Sequence, residues 1–288
     1  MRPTAPALDQ PAAEADRDAG DGMRFERVRP RSLPGLVAVI WEQRATRPAR
    51  WRILPSGWVE LIFRLGDRIA VRGARQIEPD TDAIQGFCFL SGLHTRPLDL
   101  AVGGFHTFGV QLHPVAVPAL FGLPCAEIRD GAVAGDLVLA DLGRVEDRLR
   151  AAPDFASRAR WMEEELVRRL VAADRLDDAL EMWRLSRELP TVDTSARELD
   201  RRLGYSRSHA HRLFGEWFGQ PAGDAIRMRR FVRSVRALHD DGGTLTEVGH
   251  RVGYFDQSHF IRDFRTFAGM TPGAYRRRRG ATPGQLPG

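Results

Sequence analysis

The 288-residue chain contains no Lys and no Asn, so Arg carries all of its permanent side-chain positive charge. Codon bias in a GC-rich genome produces that pattern, and a high Arg content alone therefore says nothing about nucleic acid. Only two cysteines occur, Cys88 and Cys125, each in a largely apolar stretch. A disulfide scaffold and a four-cysteine zinc site are excluded, and two buried thiols acting as small apolar residues are expected. No stretch approaches the roughly 20 apolar residues needed to span a membrane. Residues 1–22 are rich in Pro, Ala and acids and lack the apolar core of a signal peptide. The expectation is a soluble cytoplasmic protein without a membrane partner, with residues 1–22 as a disordered tail. Phosphate loops, a GxGxxG after a strand and nucleophile motifs are also missing. His94, His106 and His113 are available for a metal, but no His-x-His pair exists. His106 and His113 lie an odd number of residues apart, which puts them on opposite faces of an unbroken strand. No enzyme activity, metal or cofactor is expected.

The chain is long enough for two domains of ordinary size. Its net charge of +5 is unevenly placed: residues 191–288 hold 17 Arg against 10 acids, or +7, and the remainder sums to −2. Residues 23–140 contain short apolar runs bounded by Gly, Pro and Asp, at 59–63, 69–71, 86–90, 98–102 and 108–112. Such runs predict successive short strands, and a β-rich barrel or sandwich. Glu60 alternates with Val59, Leu61 and Phe63, which sets it on the solvent face or in a barrel mouth where it meets a cationic ligand. From 141 to 189 the period turns helical, with Leu142, Val145 and Leu149, then Trp161, Leu166 and Leu170, then Leu176, Leu180 and Trp183. This connector either packs on the β-rich domain or pairs with a second subunit.

The last hundred residues carry one pattern twice, over 195–214 and 244–264. Ser195 with Glu198, and Thr244 with Glu247, form capping boxes that start helices. Gly204 and Gly253 supply the turns, where a residue without Cβ adopts positive φ most cheaply. Ser206 and Asp256 supply N-cap oxygens for the second helices. In the second unit Val248, Val252, Phe260, Phe264 and Phe267 form a buried stripe, which leaves Gln257, Ser258, His259 and Arg262 outward. In the first unit Leu199, Leu203, Leu213, Phe214 and Trp217 form the stripe, with Arg207, Ser208, His211 and Arg212 outward. These are two helix-turn-helix units, and the eight outward residues are candidates for contact with base edges and phosphates. Neither His211 nor His259 has a second metal ligand one turn away on its face.

Gly-Tyr-Phe-Asp-Gln-Ser-His-Phe-Ile-Arg-Asp-Phe-Arg over 253–265, followed by Ala-Gly-Met-Thr-Pro-Gly-Ala-Tyr-Arg over 268–276, closely resembles the C-terminal signature of the AraC/XylS family of transcription regulators. The resemblance covers residues 190–279. It implies an all-α DNA-binding domain of two helix-turn-helix subdomains joined by a linker helix, which residues 224–239 fit through Ile226, Phe231, Val235 and Leu238. The first unit departs from the family pattern at Asp200 and Ala210, where the family has Ala and a large apolar residue, and Gly249 replaces a usual Ala. The stretch 54–67, with Pro55, Gly57, Glu60, Leu61, Ile62 and Phe63 before Leu65-Gly-Asp, resembles the opening of the N-terminal domain in one branch of these regulators. That likeness implies a cupin-like β domain and carries over no ligand.

The resulting fold class is α+β: a β-rich, cupin-like domain over 23–140, a helical connector over 141–189, the DNA-binding domain over 190–279, and a disordered tail over 280–288. The expected partner is double-stranded promoter DNA, with RNA polymerase added if the effect is activation. A small-molecule effector and a homodimer remain open. Three functions stay in view: a regulator modulated through its N-terminal domain, a DNA-binding protein whose N-terminal domain only oligomerises, and a general nucleic-acid packing protein, against which the differentiated recognition helices argue.

Overall fold

Strands β1 (Met23–Val28), β2 (Val37–Ala45), β3 (Ala49–Ile53), β4 (Val59–Arg64), β5 (Cys88–Ser91), β6 (Leu98–Val102) and β7 (Phe105–Leu112) follow one another along the N-terminal region. The computed structural model describes residues 23–33, 35–47, 49–66, 86–102, 104–189, 204–240, 243–280 and 284–287. The expected tail over 1–22, the strand expected at 69–71, and the first helix of the first helix-turn-helix unit, with Ser195, Glu198, Leu199, Asp200 and Leu203, lie outside the described residues. Together with β8 (Ala132–Ala134), the larger sheet is antiparallel with strand order β1-β2-β7-β4-β5-β8. The period-two pattern of β4 explains its placement: Val59, Leu61 and Phe63 are buried on one face, and Glu60 and Ile62 are half-buried on the other.

Helices cover the first of these faces. They are α1 (Ala116–Phe121), α2 (Gly135–Val138), α3 (Leu142–Ala151), α4 (Phe155–Val171) and α5 (Leu176–Glu188). Val145 and Leu149 of α3 and Met162, Leu166 and Leu170 of α4 share one apolar core with Ile40, Leu61, Phe63, Phe108 and Val110 of the sheet. The connector thus packs on the sheet. A buried ion pair fastens it there: Arg158 of α4 donates through Nε and Nη2 to Glu42 of β2 at 2.7 and 3.0 Å.

The C-terminal helices are α6 (Arg207–Phe218), α7 (Ala222–Asp240), α8 (Leu245–Arg251), α9 (Gln257–Ala268) and α10 (Pro272–Arg278). The sheet's core does not stop at residue 140. It continues into Phe214, Trp217 and Phe218 of α6 and Ala225 and Ile226 of α7. Phe218 meets His113, whose pKa burial pushes down to about 4 with help from Arg229. Arg229 of α7 also donates to the carbonyls of Ser186 and Leu189 at the end of α5. A second core gathers Phe231, Val235 and Leu238 of α7 with Val248, Val252, Phe260, Phe264, Phe267 and Tyr275. No helix among the described residues is long and apolar enough to cross a membrane.

The expectation of a disordered tail over 280–288 is corrected at residues 284–287. Gln285–Pro287 forms β9, which pairs antiparallel with β3 in a three-stranded sheet of order β6-β3-β9. Gly284, at φ +81°, makes the turn. Its N–H donates to the Tyr275 hydroxyl and its carbonyl accepts from Leu54. Leu286, 2% exposed, enters the second core beside Leu54. One apolar anchor and the pairing with β3 order this segment, and neither produces a local period. Replacing Leu286 with Ala is expected to cost about 2 kcal/mol through the cavity it leaves, read as a lowered denaturation midpoint with an unchanged denaturant slope.

Candidate DNA interface

Each recognition-type helix begins at a residue that the local chemistry fixes. Thr244 and Glu247 complete a capping box at the start of α8, with both reciprocal hydrogen bonds present, at 3.2 and 2.7 Å. The turn at Gly253 adopts φ +95°. Asp256 then caps α9 by accepting from the His259 N–H at 2.7 Å. In the first unit Gly204 adopts φ +67° and Ser206 caps α6 by accepting from the His209 N–H. Thr271 caps α10, whose first residue is Pro272.

The inner side of α9 is locked to the linker helix α7. Phe264 packs on Phe231 with ring centroids 5.1 Å apart, and Phe267 stacks on Phe231 at 5.0 Å. Asp263, 3% exposed, accepts from Arg227 Nη2 at 3.0 Å and lies 3.9 Å from Arg230, both on α7. The outer side presents Gln257, Ser258 and Arg262, all exposed as expected. Arg265 and Thr266 continue that side, and together with Ser258, Ile261 and Arg262 they line a shallow groove along the helix.

His259 departs from the expected outward placement. Its ring sits edge-on to Tyr254 at 5.3 Å and its Nε2 lies 3.5 Å from Asp263, so it braces the helix entry instead of projecting outward. In the first unit Arg207, Ser208, His211 and Arg212 are all exposed on α6. The inner side of α6 buries Ala210, Phe214 and Trp217, and the last two join the sheet's core. The family's large apolar residue at 210 is replaced by an Ala that the structure buries, so the helix packs through Phe214 and Trp217 instead. His209 occupies the place that His259 has in the second unit, edge-on to Tyr205 at 4.8 Å. At Gly249 a Cβ would meet the Phe260 ring at 3.2 Å, so the Gly admits that ring close to α8.

Sequence reasoning missed Phe255. The residue before an N-cap ordinarily staples onto the fourth helical residue, which here is Phe260. Tyr254 fills that role, with its ring 5.2 Å from Phe260, and Phe255 is left 81% exposed beside the start of α9. The available signal was the turn length: the second unit has one more residue between its turn Gly and the cap than the first.

Of the three histidines considered for a metal, His94 bonds to Ser91 Oγ, His106 bonds to Glu42, and His113 lies between Trp58 and Phe218. Among the described residues no group of three or more His, Cys, Asp or Glu side chains is placed to hold a metal ion. Cys88 and Cys125 are buried free thiols, and burial pushes Cys125 up to about 12.

Two short capped helices set on a shared linker helix, each with a polar outward side, stand where the second helices of two helix-turn-helix units are expected, the second unit being described in full. Residues 199–278 match the family model of a helix-turn-helix domain, and residues 27–134 match a domain of unknown function (DUF6597). The F1 operon positive regulatory protein of Yersinia pestis is 36% identical over 73 residues, 25% of this chain and 24% of that protein. The transcriptional activator AarP of Providencia stuartii is 27% identical over 73 residues, 25% of this chain and 54% of that protein. The multiple antibiotic resistance protein MarA of Escherichia coli is 27% identical over 82 residues, 28% of this chain and 65% of that protein. The chain thus spans less than two thirds of the length of these relatives. Among solved structures, the C-terminal domain of the response regulator yesN of Fusobacterium nucleatum is 25% identical, covering 34% of this chain and 98% of that one at a TM-score of 0.32. ToxT of Vibrio cholerae is 9% identical, covering 88% and 98% at a TM-score of 0.46. The C-terminal part of the chain is an AraC-type helix-turn-helix domain, a DNA-binding module of the kind carried by named transcription regulators.

Proposed function

We propose that the whole chain is a transcription regulator that binds a specific, non-palindromic DNA site. Helices α6 and α9 enter successive major grooves on one DNA face, roughly 34 Å apart. The observation that carries this reading is the outward polar side on each of two helices that share the linker helix α7. Arg207, Ser208, His211 and Arg212 serve one groove, and Gln257, Ser258 and Arg262 serve the other, with Arg265 and Thr266 extending the second set. The excess of Arg over acids in residues 191–288 supplies the salt-dependent attraction to phosphate. The N-terminal region modulates docking through a ligand or a partner, because its core is continuous with α6 and α7 and a change in the sheet reaches the first recognition helix through packed side chains.

Replacing Arg262 with Ala tests the groove assignment. Binding to a selected site is expected to weaken by about 1–3 kcal/mol, with relaxed preference at one base position if Arg262 reads a base edge. An even loss across sequences would assign it to phosphate, and unchanged affinity in a fluorescence anisotropy titration would remove α9 from the interface. Phe255→Ala is expected to weaken binding by about 1 kcal/mol through lost apolar contact with a sugar or a thymine methyl. The midpoint of thermal unfolding should stay unchanged, since Phe255 buries little in the free protein.

A further inference from the structure

The two recognition-type helices are held by different means. Counted from the caps Ser206 and Asp256, Leu213 of α6 stands where α9 has Asp263. Helix α6 therefore has no carboxylate at the place from which Asp263 meets Arg227 and Arg230 of the linker helix. Its buried side chains are Ala210, Phe214, Trp217 and Phe218, and the last three join the sheet's core together with Cys125 and Ile128. At Gly219, which closes α6 at φ +70°, a Cβ would meet the Cys125 carbonyl at 3.1 Å. The end of α6 is thus seated on the N-terminal region, whereas α9 rests on α7 through Phe231.

A polar contact on α6 comes from the same region. Arg175, the residue before α5, has its Nη2 2.8 Å from Glu216 Oε1, and its guanidinium lies over the Trp217 ring, 4.5 Å from the centroid. Its Nε is 3.5 Å from Asp178. Glu216 continues the row that Ser208 and Arg212 begin, since residues four apart share a helix face. Arg175 therefore grips the end of the row offered to DNA, and its stacking fixes the roll of α6 at Trp217. Arg suits both contacts, because its planar group stacks on a ring while its N–H groups meet a carboxylate. Without it, Glu216 would be a bare carboxylate in line with side chains that face phosphates.

We propose that Arg175 is a positioning residue for base reading by α6. The first unit reads its block of the site only while this contact from the connector sets the helix, and the second unit reads its block independently of it. The inference rests on the reading of α6 and α9 as the two recognition helices, and it names what aligns the first of them.

The test is an anisotropy titration of the full chain on the selected site and on two versions, each with one block scrambled. Discrimination at a block is the ratio of the scrambled to the intact Kd. A variant with Gln257, Ser258 and Arg262 all replaced by Ala marks the block of α9, being indifferent to its scrambling. Arg175→Gln is expected to lower discrimination at the other block by about five- to tenfold and to leave that of α9 unchanged. The ratio cancels any even loss of affinity caused by one fewer positive charge. Arg175→Lys, which keeps the charge without the planar stack, should fall between the two. The melting temperature of Arg175→Gln should drop by no more than about 3 °C, since the side chain is 39% exposed and such pairs contribute little to stability. Unchanged discrimination at the block of α6, or equal losses at both blocks, would overturn the assignment of Arg175 alone. Indifference of the unaltered chain to the scrambling of either block would instead remove the two-helix reading and this inference with it.

Discussion

Replacing Asp263 with Ala is expected to cost about 3 kcal/mol of stability and to abolish sequence-specific DNA binding at temperatures where the protein is still folded. Asp263 is a buried carboxylate that faces Arg227 and Arg230 of the linker helix and His259 of its own helix. Removing one member of a buried charge group is strongly destabilising because its partners stay behind uncompensated. Arg227 keeps about a third of its exposure and is 3.4 Å from Asp224, which holds the cost toward the lower end of the usual range. The functional loss follows from geometry. Asp263 and the Phe231–Phe264–Phe267 contacts set the angle of α9 on α7, and a recognition helix reads bases only while that angle is kept. Asp263→Asn, which keeps a hydrogen-bonding group, should retain more of both properties. Thermal unfolding and anisotropy titration of the two variants measure these effects, and full DNA binding by Asp263→Ala would show that the phenylalanines alone orient the helix.

Glu42→Ala should destabilise the N-terminal region by about 3–5 kcal/mol. Glu42 receives two hydrogen bonds from Arg158 and one from His106, and through Arg158 it ties helix α4 to the middle of the sheet. Its removal leaves a buried guanidinium whose remaining contact is the carbonyl of Ala152. The double replacement Glu42→Met with Arg158→Met is expected to recover most of the loss, since apolar side chains of similar volume fill the same space without a desolvated charge. A double-mutant cycle in denaturant reads the coupling. Additive losses would mean that the pair is held by its surroundings and not by each partner.

The second helix-turn-helix unit was legible because its signals are local. Thr244 with Glu247, Gly253 and Asp256 each act within one turn of chain, and all three took the expected geometry. The stripe from Val248 to Phe267 was equally plain, since helical spacing alone brings those residues together. Strands β4 and β6 and parts of β5 and β7 were also readable as short apolar runs bounded by Gly, Pro and Asp. Strands β1 to β3 were not, because residues 23–53 mix Arg and Glu with Trp, Val and Ile, which leaves neither an apolar run nor a clean alternation. Strand β9 depends on Leu286 meeting a core formed far away in the chain, and no short-range pattern reports that. His259 was placed outward on helical spacing. The attraction of Asp263 and the Tyr254 ring turned it inward, and that is a tertiary effect. Glu60 was given a solvent face or a barrel mouth. Its holding by Trp41 and Gln111 became visible only once the register had placed three strands side by side.

The central claim is that two differentiated recognition helices read one asymmetric site. Its most direct test is the selection of genomic DNA fragments by the purified full chain at near-physiological salt, because non-specific affinity is then reduced and specific contacts dominate. The account predicts enrichment of a site with two unlike blocks, centred about one helical turn apart. Enrichment of a single palindromic block, or none above random duplex, would contradict it.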